Sequence, residues 1–503
     1  MDLATALSWT AERYPSRRAV GGSRPLTYAE WDARTGRLAR ALASLGVQRG
    51  DRVALSLAGG EPLASLHLAA QKLGAASVPL STRFGPDEIA YCLADAGPAL
   101  LVTDESTRGL LASEPPCPHR DVAEVGELAV RQDAGALPGG PGEDDVSVML
   151  YTSGTTGRPK GVPRTHRAEH SAAVAHLVQT QHRPGEVTLG VMPLFHTMGL
   201  RSLLASIAAA GTWVPQARFD ADESLALIRD EAVSALYLVP TIYWALLHTG
   251  ELHKATTVRR IAYAGAAMIP ALAERLVGTL HPDAFVNHFG STEIYTFTIG
   301  PDVAAKPGCA GRAGIFSRVR VVAPDADATP GDVVTRGEQG QVIVSMDSPE
   351  AFAGYWQRPD ANAKAIRGGW YFTGDLAVED DEGDLWVSGR VDDMINSGGE
   401  NIYPDEIEAA LARCPVVDDV CVVGMPDERW GSAVTAFVVP VPDVPPAEAV
   451  ARVEAYAREG PGLPSLKRPK RVVAVRAIPK SAVGKILRRS LVAGEYEELS
   501  ASD

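Results

Sequence analysis

The chain has 503 residues, which is too long for one hydrophobic core, so we expect two to four structural units. Hydrophobic residues make up 46% of the chain and charged residues 22%, a composition that argues against a disordered or fibrous protein. The net charge of −14 argues against nucleic-acid binding. The first twenty residues show no basic segment followed by an apolar run, and no apolar run reaches about 18 residues, so we expect a cytoplasmic protein without membrane contact.

The opening part of the chain alternates helix-like and strand-like patterns. Thr27 and Glu30 form a T-x-x-E capping box, which predicts the start of an amphipathic helix. Residues 53–57 are strand-like, residues 63–73 are helical in pattern, and residues 76–80 are again strand-like. This alternation predicts a parallel α/β sheet.

A stretch rich in glycine, proline and acidic residues, residues 133–145, predicts a surface connection. Beyond it, the segments around Tyr237 and Tyr263 are typical of buried strands that run into turns. Ligand sites of α/β proteins favour the carboxyl ends of such strands, so we expect functional side chains there.

Near Arg390 the pattern changes to a compact tail. A helix is predicted from Pro404, the segments CVVGM and AVTAFVVP predict strands, and a further helix passes through Val453 and Tyr456. Together they predict a small α+β domain of about 110 residues.

The segment YTSGTTGRPKG starts at Tyr151 and combines glycines, hydroxyl side chains and one lysine. Glycines let successive backbone N–H groups point at an anion, and hydroxyls and a lysine add donors and charge, so the segment predicts a polyphosphate site. It departs from the Walker pattern because Gly161 follows the lysine. A flexible surface turn is the alternative, although an apolar strand precedes the segment. The predicted phosphate-binding residues are Thr152, Ser153, Gly154, Thr155, Thr156 and Lys160.

This segment resembles the signature loop of adenylate-forming enzymes, which include acyl- and aryl-CoA ligases, adenylation domains of peptide synthetases, and luciferases. Further segments resemble that superfamily in the same order along the chain, and benzoate- and 4-chlorobenzoate-type CoA ligases are the most similar branch. These segments are MPLFHTMGL, YAGAAM, HFGSTE, GWYFTGDLA, SGRVDDMINSGGENIYPDEIE and PKSAVGKILRR.

The resemblance implies a fold and a reaction. The expected fold class is α/β, with a large N-terminal domain of layered α/β subdomains and a β-barrel-like part over residues 1–390. A small mobile α+β domain follows over residues 391–503, with its hinge near Asp392. The implied reaction uses ATP and Mg²⁺ to convert a carboxylic acid to its acyl-adenylate, then forms a thioester with coenzyme A and releases AMP and pyrophosphate. The expected partners are these small molecules, with a homodimer as the candidate assembly.

The resemblance also assigns roles to single residues. Lys485 is the mobile catalytic lysine, His196 is the gate beside the carboxylate, and Thr156 and Glu293 hold Mg²⁺. Asp375 accepts hydrogen bonds from the ribose hydroxyls, and the guanidinium of Arg390 reaches toward ribose and phosphate. The nucleotide-binding segments contribute Gly265, Ala266, Ala267, His288, Phe289, Gly290, Ser291 and Thr292. Simpler interpretations are a helix-start acid for Glu293, a core aromatic for Phe289, a turn acid for Asp375 and a salt bridge at the domain edge for Arg390.

For the thiol acceptor, the resemblance implies that Arg83, Trp430 and Arg468 bind the CoA nucleotide. Gly398 and Gly399 leave room for its pantetheine arm, and Leu466 stands where the halobenzoate branch has an aromatic residue. The implied acyl pocket mixes apolar walls with hydrogen-bonding groups, which favours a hydroxylated or amino-substituted aromatic acid. Its residues are His196, Thr197, Met198, Tyr237, Ala264, Gly265, His288, Gly290, Tyr295 and Thr296.

Several other functions remain open on the sequence. The acceptor of the acyl group is either CoA or a carrier-protein thiol. A different reaction is also open, in which nitrite is activated for diazotisation of an aryl amine. A non-catalytic nucleotide-binding protein is a further alternative, and a scaffold is a remote one. The joint presence of Lys160, Glu293, Asp375, Arg390 and Lys485 favours an enzyme.

Overall fold

The computed structural model describes residues 1–111, 114–133, 140–152, 158–397, 400–427, 431–459, 463–465, 467–480 and 486–500. The chain folds into two compact units, of which the first is the larger. The first unit consists of Met1–Val319 and Val344–Tyr371, and the second of Arg320–Ile343 and Phe372–Asp503. The predicted domain bounds and the hinge near Asp392 stay predictions.

The first part of the larger unit alternates strands and helices. Its elements are α1 (Leu3–Arg13), β1 (Arg18–Val20), β2 (Leu26–Thr27), α2 (Tyr28–Ser44), β3 (Arg52–Ser56), α3 (Glu61–Leu73), β4 (Ala76–Pro79), α4 (Pro86–Ala96), β5 (Leu100–Thr103), α5 (Glu105–Arg108), β6 (His119–Asp121), α6 (Val122–Val130), β7 (Val146–Thr152) and β8 (Lys160–Thr165). One sheet has the order β6-β5-β3-β4-β7-β8, in which only β7 and β8 are antiparallel. The predicted parallel α/β arrangement is therefore confirmed.

The helix α2 begins at the capping box that the sequence predicts. The Thr27 hydroxyl accepts a hydrogen bond from the Glu30 backbone N–H at 3.3 Å, and the Glu30 carboxylate accepts one from the Thr27 N–H at 2.8 Å. These bonds satisfy two of the N–H groups that a helix start leaves unpaired. The apolar face of the helix is buried through Trp31, Leu38 and Leu42.

The rest of the larger unit adds a second sheet. Its elements are α7 (His166–Gln179), β9 (Val187–Gly190), α8 (Thr197–Ala208), β10 (Thr212–Pro215), α9 (Ala221–Asp230), β11 (Ala235–Leu238), α10 (Pro240–His248), a 3₁₀ turn (Leu252–Lys254), β12 (Arg260–Ala264), α11 (Pro270–Leu280), β13 (Ala284–Phe289), β14 (Thr298–Gly300) and β15 (Arg312–Ala313). The sheet order is β15-β14-β13-β12-β11-β9-β10-β1-β2, and the pairs from β13 to β1 are parallel. The strands β11 and β12, which contain Tyr237 and Tyr263, are buried as predicted.

The remaining elements run from residue 319 to the end of the described chain. They are β16 (Val319–Val322), β17 (Gln339–Ser345), α12 (Pro359–Ala365), β18 (Ile366–Arg367), β19 (Trp370–Glu379), β20 (Leu385–Arg390), a 3₁₀ turn (Val391–Asp393), β21 (Ile395–Ser397), β22 (Glu400–Ile402), α13 (Pro404–Leu411), β23 (Val417–Asp427), β24 (Gly431–Pro440), α14 (Pro446–Glu459), β25 (Arg471–Ala474) and α15 (Arg488–Val492).

The smaller unit has the α+β composition that the tail predicts. The predicted helix from Pro404 is α13, the two predicted strands lie in β23 and β24, and the helix through Val453 and Tyr456 is α14. The strands β23 and β24 pair antiparallel, and β25 joins β24 in parallel. The α/β class, with several sheets in a large N-terminal domain and a smaller C-terminal domain, is confirmed.

In the part of the chain that the structure describes, no helix is both long enough and apolar enough to cross a membrane.

Candidate functional site

The two ends of the predicted phosphate loop belong to the antiparallel pair of β7 and β8. Thr152, the last residue of β7, stands opposite Lys160, the first residue of β8. The loop therefore leaves and re-enters the sheet at neighbouring points. Residues 153–157 lie outside the described residues, so the predictions for Ser153, Gly154, Thr155 and Thr156 stay predictions.

The predicted adenine segments emerge side by side from the second sheet. The strands β12 and β13 are parallel neighbours, and at their carboxyl ends Ala264 stands opposite His288. Gly265 has a φ of +86°, which glycine adopts without strain. A Cβ on Gly290 would lie 2.1 Å from the carbonyl oxygen of Tyr295, so only glycine fits there.

The aromatic residue at the end of β13 packs against the core and is only partly covered. Phe289 packs edge-to-face on Phe297 with a centroid distance of 5.2 Å, and it is only half-buried. Ala266 and Ala267, on the neighbouring turn, are exposed. Phe289 therefore contacts the core while part of its surface stays accessible to a ligand.

Glu293 follows β13 in a turn held by several hydrogen bonds. The side chain is 7% exposed, and its Oε1 accepts a hydrogen bond from the Tyr355 hydroxyl at 2.7 Å. The Glu293 backbone N–H donates to the Ser291 hydroxyl at 3.2 Å, and its carbonyl accepts from the Phe352 N–H at 2.8 Å. The carboxylate is thus held in one orientation.

The segment from Ala351 to Trp356 connects this turn to the phosphate loop. Ala351 bridges to Ile294 beside Glu293, and the Trp356 N–H donates to the Gly161 carbonyl at 2.9 Å beside Lys160. Between these two points, the Tyr355 ring centroid lies 5.0 Å from the Lys160 ammonium. The structure therefore brings Lys160 and Glu293, which are 133 residues apart in the sequence, into contact with the same tyrosine.

A fully buried arginine, Arg164, also holds the Glu293 turn. One terminal nitrogen donates to the carbonyl oxygens of Thr292 and Glu293 at 3.1 Å and 3.2 Å. Its Nε pairs with the buried carboxylate of Glu169. Because Arg164 belongs to β8, the strand that begins at Lys160, this side chain ties the acid turn to the phosphate-loop strand.

The donors available for a magnesium ion are few. In the described residues, no group of three or more His, Cys, Asp or Glu side chains is arranged to hold a metal. Mg²⁺ commonly binds one or two carboxylates and completes its shell with water and phosphate oxygens, so the single oriented carboxylate of Glu293 fits it. The second predicted ligand, Thr156, lies in the undescribed loop.

The predicted gate residue His196 caps the start of α8. Its Nδ1 accepts a hydrogen bond from the Met198 backbone N–H at 3.3 Å, so a neutral ring carries its proton on Nε2. His196 and Thr197 are half-buried, whereas Met198 is buried. The cap gives the imidazole a defined orientation, as a gate beside a ligand requires.

Several of the predicted acyl-pocket residues contact a buried arginine, Arg201, which is 2% exposed. Its terminal nitrogens bond to His288 Nδ1 at 3.0 Å, to the Thr296 hydroxyl at 2.6 Å and to the Glu350 carboxylate at 3.2 Å. Tyr237 packs on His288 with a ring-centroid distance of 5.2 Å. The structure thus brings Tyr237, His288 and Thr296 together around an ion pair.

The electrostatics of this cluster follow from burial. Burial lowers the pKa of His288 well below its usual range and Arg201 lowers it further, so the ring is neutral. Burial raises the pKa of Glu350, while Arg201 opposes that change. Among the described residues, Nε2 of His288, Nε of Arg201 and Oε1 of Glu350 are buried without a hydrogen-bond partner. Buried polar atoms in this state are commonly satisfied by water or by a ligand.

The smaller unit pairs the two residues that the sequence assigns to ribose and phosphate. Asp375 in β19 stands opposite Arg390 in β20, and the guanidinium donates to the carboxylate at 2.6 Å. Gly374, at φ +75°, would place a Cβ 2.9 Å from that guanidinium. The Asp375 side chain is 14% exposed and that of Arg390 is 40% exposed, so the pair lies at the surface of its unit.

The residues predicted to bind CoA are divided between the two units. Arg83 is exposed in the larger unit, and Arg468 is half-buried in the smaller unit, where its Nε donates to the Leu463 carbonyl at 3.1 Å. Trp430, Gly398, Gly399 and Lys485 lie outside the described residues. Their predicted roles stay predictions.

Four residues of the site were not predicted from the sequence: Arg164, Arg201, Glu350 and Tyr355. Two of them left a signal, because Arg201 is a lone charge in the apolar segment MGLRSLLASIA and Arg164 follows the apolar residues of β8. A charge in such a setting is buried only with a partner. Glu350 and Tyr355 lie in irregular backbone and left no comparable pattern.

Known proteins resemble the chain over nearly its full length. The sequence pattern of the AMP-binding enzyme family matches residues 7–356, and that of the AMP-binding enzyme C-terminal domain matches residues 406–485. The chain is 33% identical over 480 residues to the long-chain-fatty-acid–CoA ligase FadD13 of Mycobacterium tuberculosis, covering 93% of this chain and 92% of that protein. It is 34% identical over 511 residues to 4-chlorobenzoate–CoA ligase of Arthrobacter sp, covering 99% and 95%.

A solved structure gives the same result for the fold. The o-succinylbenzoate CoA synthetase of Bacillus subtilis, in complex with its acyl-adenylate intermediate, matches with a TM-score of 0.84 at 28% identity, and 97% of each chain is covered. The predicted resemblance to adenylate-forming enzymes is confirmed. The chain therefore belongs to the AMP-binding enzyme family of the adenylate-forming superfamily, and it is an AMP-forming acid–thiol ligase.

Proposed function

We propose that the chain uses ATP and Mg²⁺ to activate a substituted aromatic acid as its adenylate and then transfers the acyl group to CoA. The observation that carries the proposal is the contact of Tyr355 with both Lys160 and Glu293. These two residues are the cation and the acid that the family resemblance assigns to the ATP phosphates and to the metal. Their proximity supports a single site for the magnesium complex of ATP.

In the first half-reaction, a carboxylate oxygen of the acid attacks the α-phosphorus of ATP, and the bond to the leaving pyrophosphate breaks. Lys160 and Lys485 offset the negative charge that the two anions bring together, which stabilises the transition state more than the ground state. Mg²⁺ held by Glu293 and Thr156 would neutralise charge on the phosphate oxygens. Asp375 accepts hydrogen bonds from the ribose hydroxyls and Arg390 reaches toward ribose and phosphate.

In the second half-reaction, the thiolate of CoA attacks the acyl carbonyl and AMP leaves. Arg83 and Arg468 pair with the phosphates of the CoA nucleotide, and Trp430 stacks on its adenine. A rotation of the small domain about Asp392 withdraws Lys485 and brings Gly398 and Gly399 to the pantetheine arm. One site then serves both half-reactions.

The cluster around Arg201 supports a polar substituent on the acid. Nε of Arg201 and Nε2 of His288 are buried donors, and Oε1 of Glu350 is a buried acceptor, each without a partner among the described residues. A hydroxyl or amino group on a benzoate ring would satisfy one or more of them, whereas an alkyl chain would leave them unpaired. Because Glu350 balances the charge of Arg201, a second carboxylate on the acid is not required.

A long-chain fatty acid is the second candidate for the acid. It is favoured by the 33% identity to FadD13, a protein named as a long-chain-fatty-acid–CoA ligase. The relative named 4-chlorobenzoate–CoA ligase is similar to almost the same degree, at 34% identity. Identity therefore does not separate the two acids, and the polar cluster favours the aromatic one.

A substrate panel tests the function. The purified protein is incubated with ATP, Mg²⁺ and CoA, and with benzoate, 4-hydroxybenzoate, 4-aminobenzoate or palmitate, and acyl-CoA is measured by mass spectrometry. We expect the substituted benzoates to have the highest kcat/KM. A rate of AMP release that is the same with and without CoA would contradict CoA as the acceptor and point to a carrier-protein thiol or to nitrite chemistry.

The proposed homodimer is tested separately, by measuring the molar mass of the purified protein by light scattering.

A lysine variant tests whether the chain turns over by the proposed route. Lys485→Ala should lower adenylation, measured as ATP–pyrophosphate exchange, by about 100-fold or more, which is the scale for one preorganised charge contact. Arg489→Ala is the matched control because this exposed residue lies in the same basic tail. Equal activity of both variants would contradict the role of Lys485, and exchange absent from the wild-type protein would favour a non-catalytic nucleotide-binding protein.

A further inference from the structure

One tyrosine touches two oppositely charged groups of the proposed ATP site. The Tyr355 hydroxyl donates to Glu293 Oε1 at 2.7 Å, and the face of its ring lies 5.0 Å from the Lys160 ammonium. The side chain is 8% exposed, so both contacts are largely shielded from water. Hydrogen bonds to a charged group and cation–π contacts are both stronger when they are desolvated.

The backbone around this tyrosine is held at both ends. On one side, the Phe352 N–H donates to the Glu293 carbonyl at 2.8 Å, and on the other, the Trp356 N–H donates to the Gly161 carbonyl at 2.9 Å. The Phe352 ring also packs edge-to-face on the Tyr355 ring at 5.1 Å. The ring position of Tyr355 is therefore determined by the turn that carries the acid and by the strand that begins at the lysine.

We propose that Tyr355 is a positioning residue for the magnesium complex of ATP, an inference that rests on the proposed function. Its hydroxyl orients the Glu293 carboxylate, and its ring holds the Lys160 ammonium at a set distance from that carboxylate. The two contacts have separable consequences. Loss of the hydroxyl weakens the magnesium-dependent part of ATP binding, and loss of the ring also weakens the part that depends on Lys160.

Equilibrium binding of ATP, measured by titration calorimetry with Mg²⁺ and with EDTA, tests the proposal without turnover. Tyr355→Phe keeps the ring and removes the hydroxyl. We expect its affinity for ATP in Mg²⁺ to fall about ten-fold, the scale for a hydrogen bond to a charged group, and its affinity in EDTA to change less than about two-fold. Tyr355→Leu should weaken binding in both conditions.

A double-mutant cycle tests whether the hydroxyl acts through Glu293. In a Glu293→Gln background, adding Tyr355→Phe should change the affinity for ATP in Mg²⁺ by less than about two-fold, because the group that it orients has lost its charge. Tyr28→Phe is the matched control. It removes a buried hydroxyl that donates to the Ser206 and Gly211 carbonyls, and we expect it to lower the melting temperature without changing ATP affinity.

Three outcomes would overturn the inference. They are wild-type affinity of Tyr355→Phe in Mg²⁺, an equal loss with Mg²⁺ and with EDTA, and a wild-type protein that does not bind the magnesium complex of ATP. Failure of the proposed function gives a different result from failure of this inference. In that case the wild-type protein binds ATP but forms no AMP when the acid is added. A variant with reduced melting temperature is compared with Tyr28→Phe at matched stability.

Discussion

Two buried arginines approach the same tyrosine ring but bind different kinds of partner. The guanidinium carbon of Arg164 lies 3.6 Å from the ring centroid of Tyr295, and that of Arg201 lies 5.3 Å from it. Each arginine has a buried carboxylate partner, Glu169 for the first and Glu350 for the second. Their other hydrogen bonds differ: one terminal nitrogen of Arg164 donates to main-chain carbonyls, whereas the terminal nitrogens of Arg201 bond to side chains.

This difference separates a structural task from a chemical one. Because Arg164 binds the carbonyls of Thr292 and Glu293, it holds a turn whatever side chains surround it. Arg201 binds the His288 ring and the Thr296 hydroxyl, so its environment depends on the side chains of the acyl pocket. The same residue type thus fixes a backbone at one site and sets the polarity of a pocket at the other.

Removing Arg164 gives one of the two largest expected effects. Arg164→Met leaves the Glu169 carboxylate buried and unpaired and removes the donor to Thr292 and Glu293, so we expect a loss of about 3–5 kcal/mol in the free energy of unfolding. Urea denaturation followed by tryptophan fluorescence measures it. Arg167→Met, an exposed arginine three residues along the chain, is the matched control and should leave the midpoint unchanged. Equal losses in both variants would remove the special role of Arg164.

Removing Arg201 distinguishes the two arginines further, because a second substitution at its carboxylate partner should restore the lost stability. Arg201→Leu alone should cost about 3–5 kcal/mol of stability, since Glu350 is left unpaired, and Glu350→Leu in the same chain should recover most of that loss. The double variant should also shift the ratio of kcat/KM toward alkyl or unsubstituted acids by about ten-fold. An unchanged ratio would exclude this pair from substrate choice.

The pH dependence of stability should involve the Arg201 cluster. Burial first, and Arg201 second, lower the pKa of His288 in the folded chain below its ordinary value of 6.5. The folded state therefore favours the neutral ring, and this contribution is complete above about pH 6.5 and is lost as the pH falls toward the folded pKa. Below pH 6.5, His288→Asn should have a shallower decline than the wild type, by about 1.4 kcal/mol per pH unit. Parallel declines would contradict the assignment.

The smallest expected effect is at the ring that the two arginines share. Tyr295→Phe keeps the aromatic face and should change stability by about 1 kcal/mol or less. Tyr295→Leu removes the face that both guanidiniums approach and should cost about 2 kcal/mol more. Comparison of the two melting temperatures isolates the ring from the hydroxyl. Similar values for both variants would mean that neither arginine depends on the ring.

Local interactions explain which elements were predictable. The capping box at Thr27 and Glu30, the strand around Tyr237 and the helix from Pro404 all form where the sequence predicts, because capping and periodicity involve residues only a few positions apart. The segments that carry Lys160 and Glu293 are likewise recognisable in the sequence alone. The cluster around Arg201 was not predicted, because its partner Glu350 is 149 residues away and lies in irregular backbone.

By itself, the sequence determined the alternation of strands and helices, the composition of the phosphate loop and the family to which the chain belongs. Only the tertiary structure decided which charges meet. Tyr355 reaches Glu293 from 62 positions away, and the side-by-side ends of β12 and β13 result from the strand order of the sheet. Contacts of this kind depend on packing between distant segments. Burying a charged side chain costs free energy unless an oppositely charged or hydrogen-bonding group lies beside it, so the buried charges of this chain lie beside such partners.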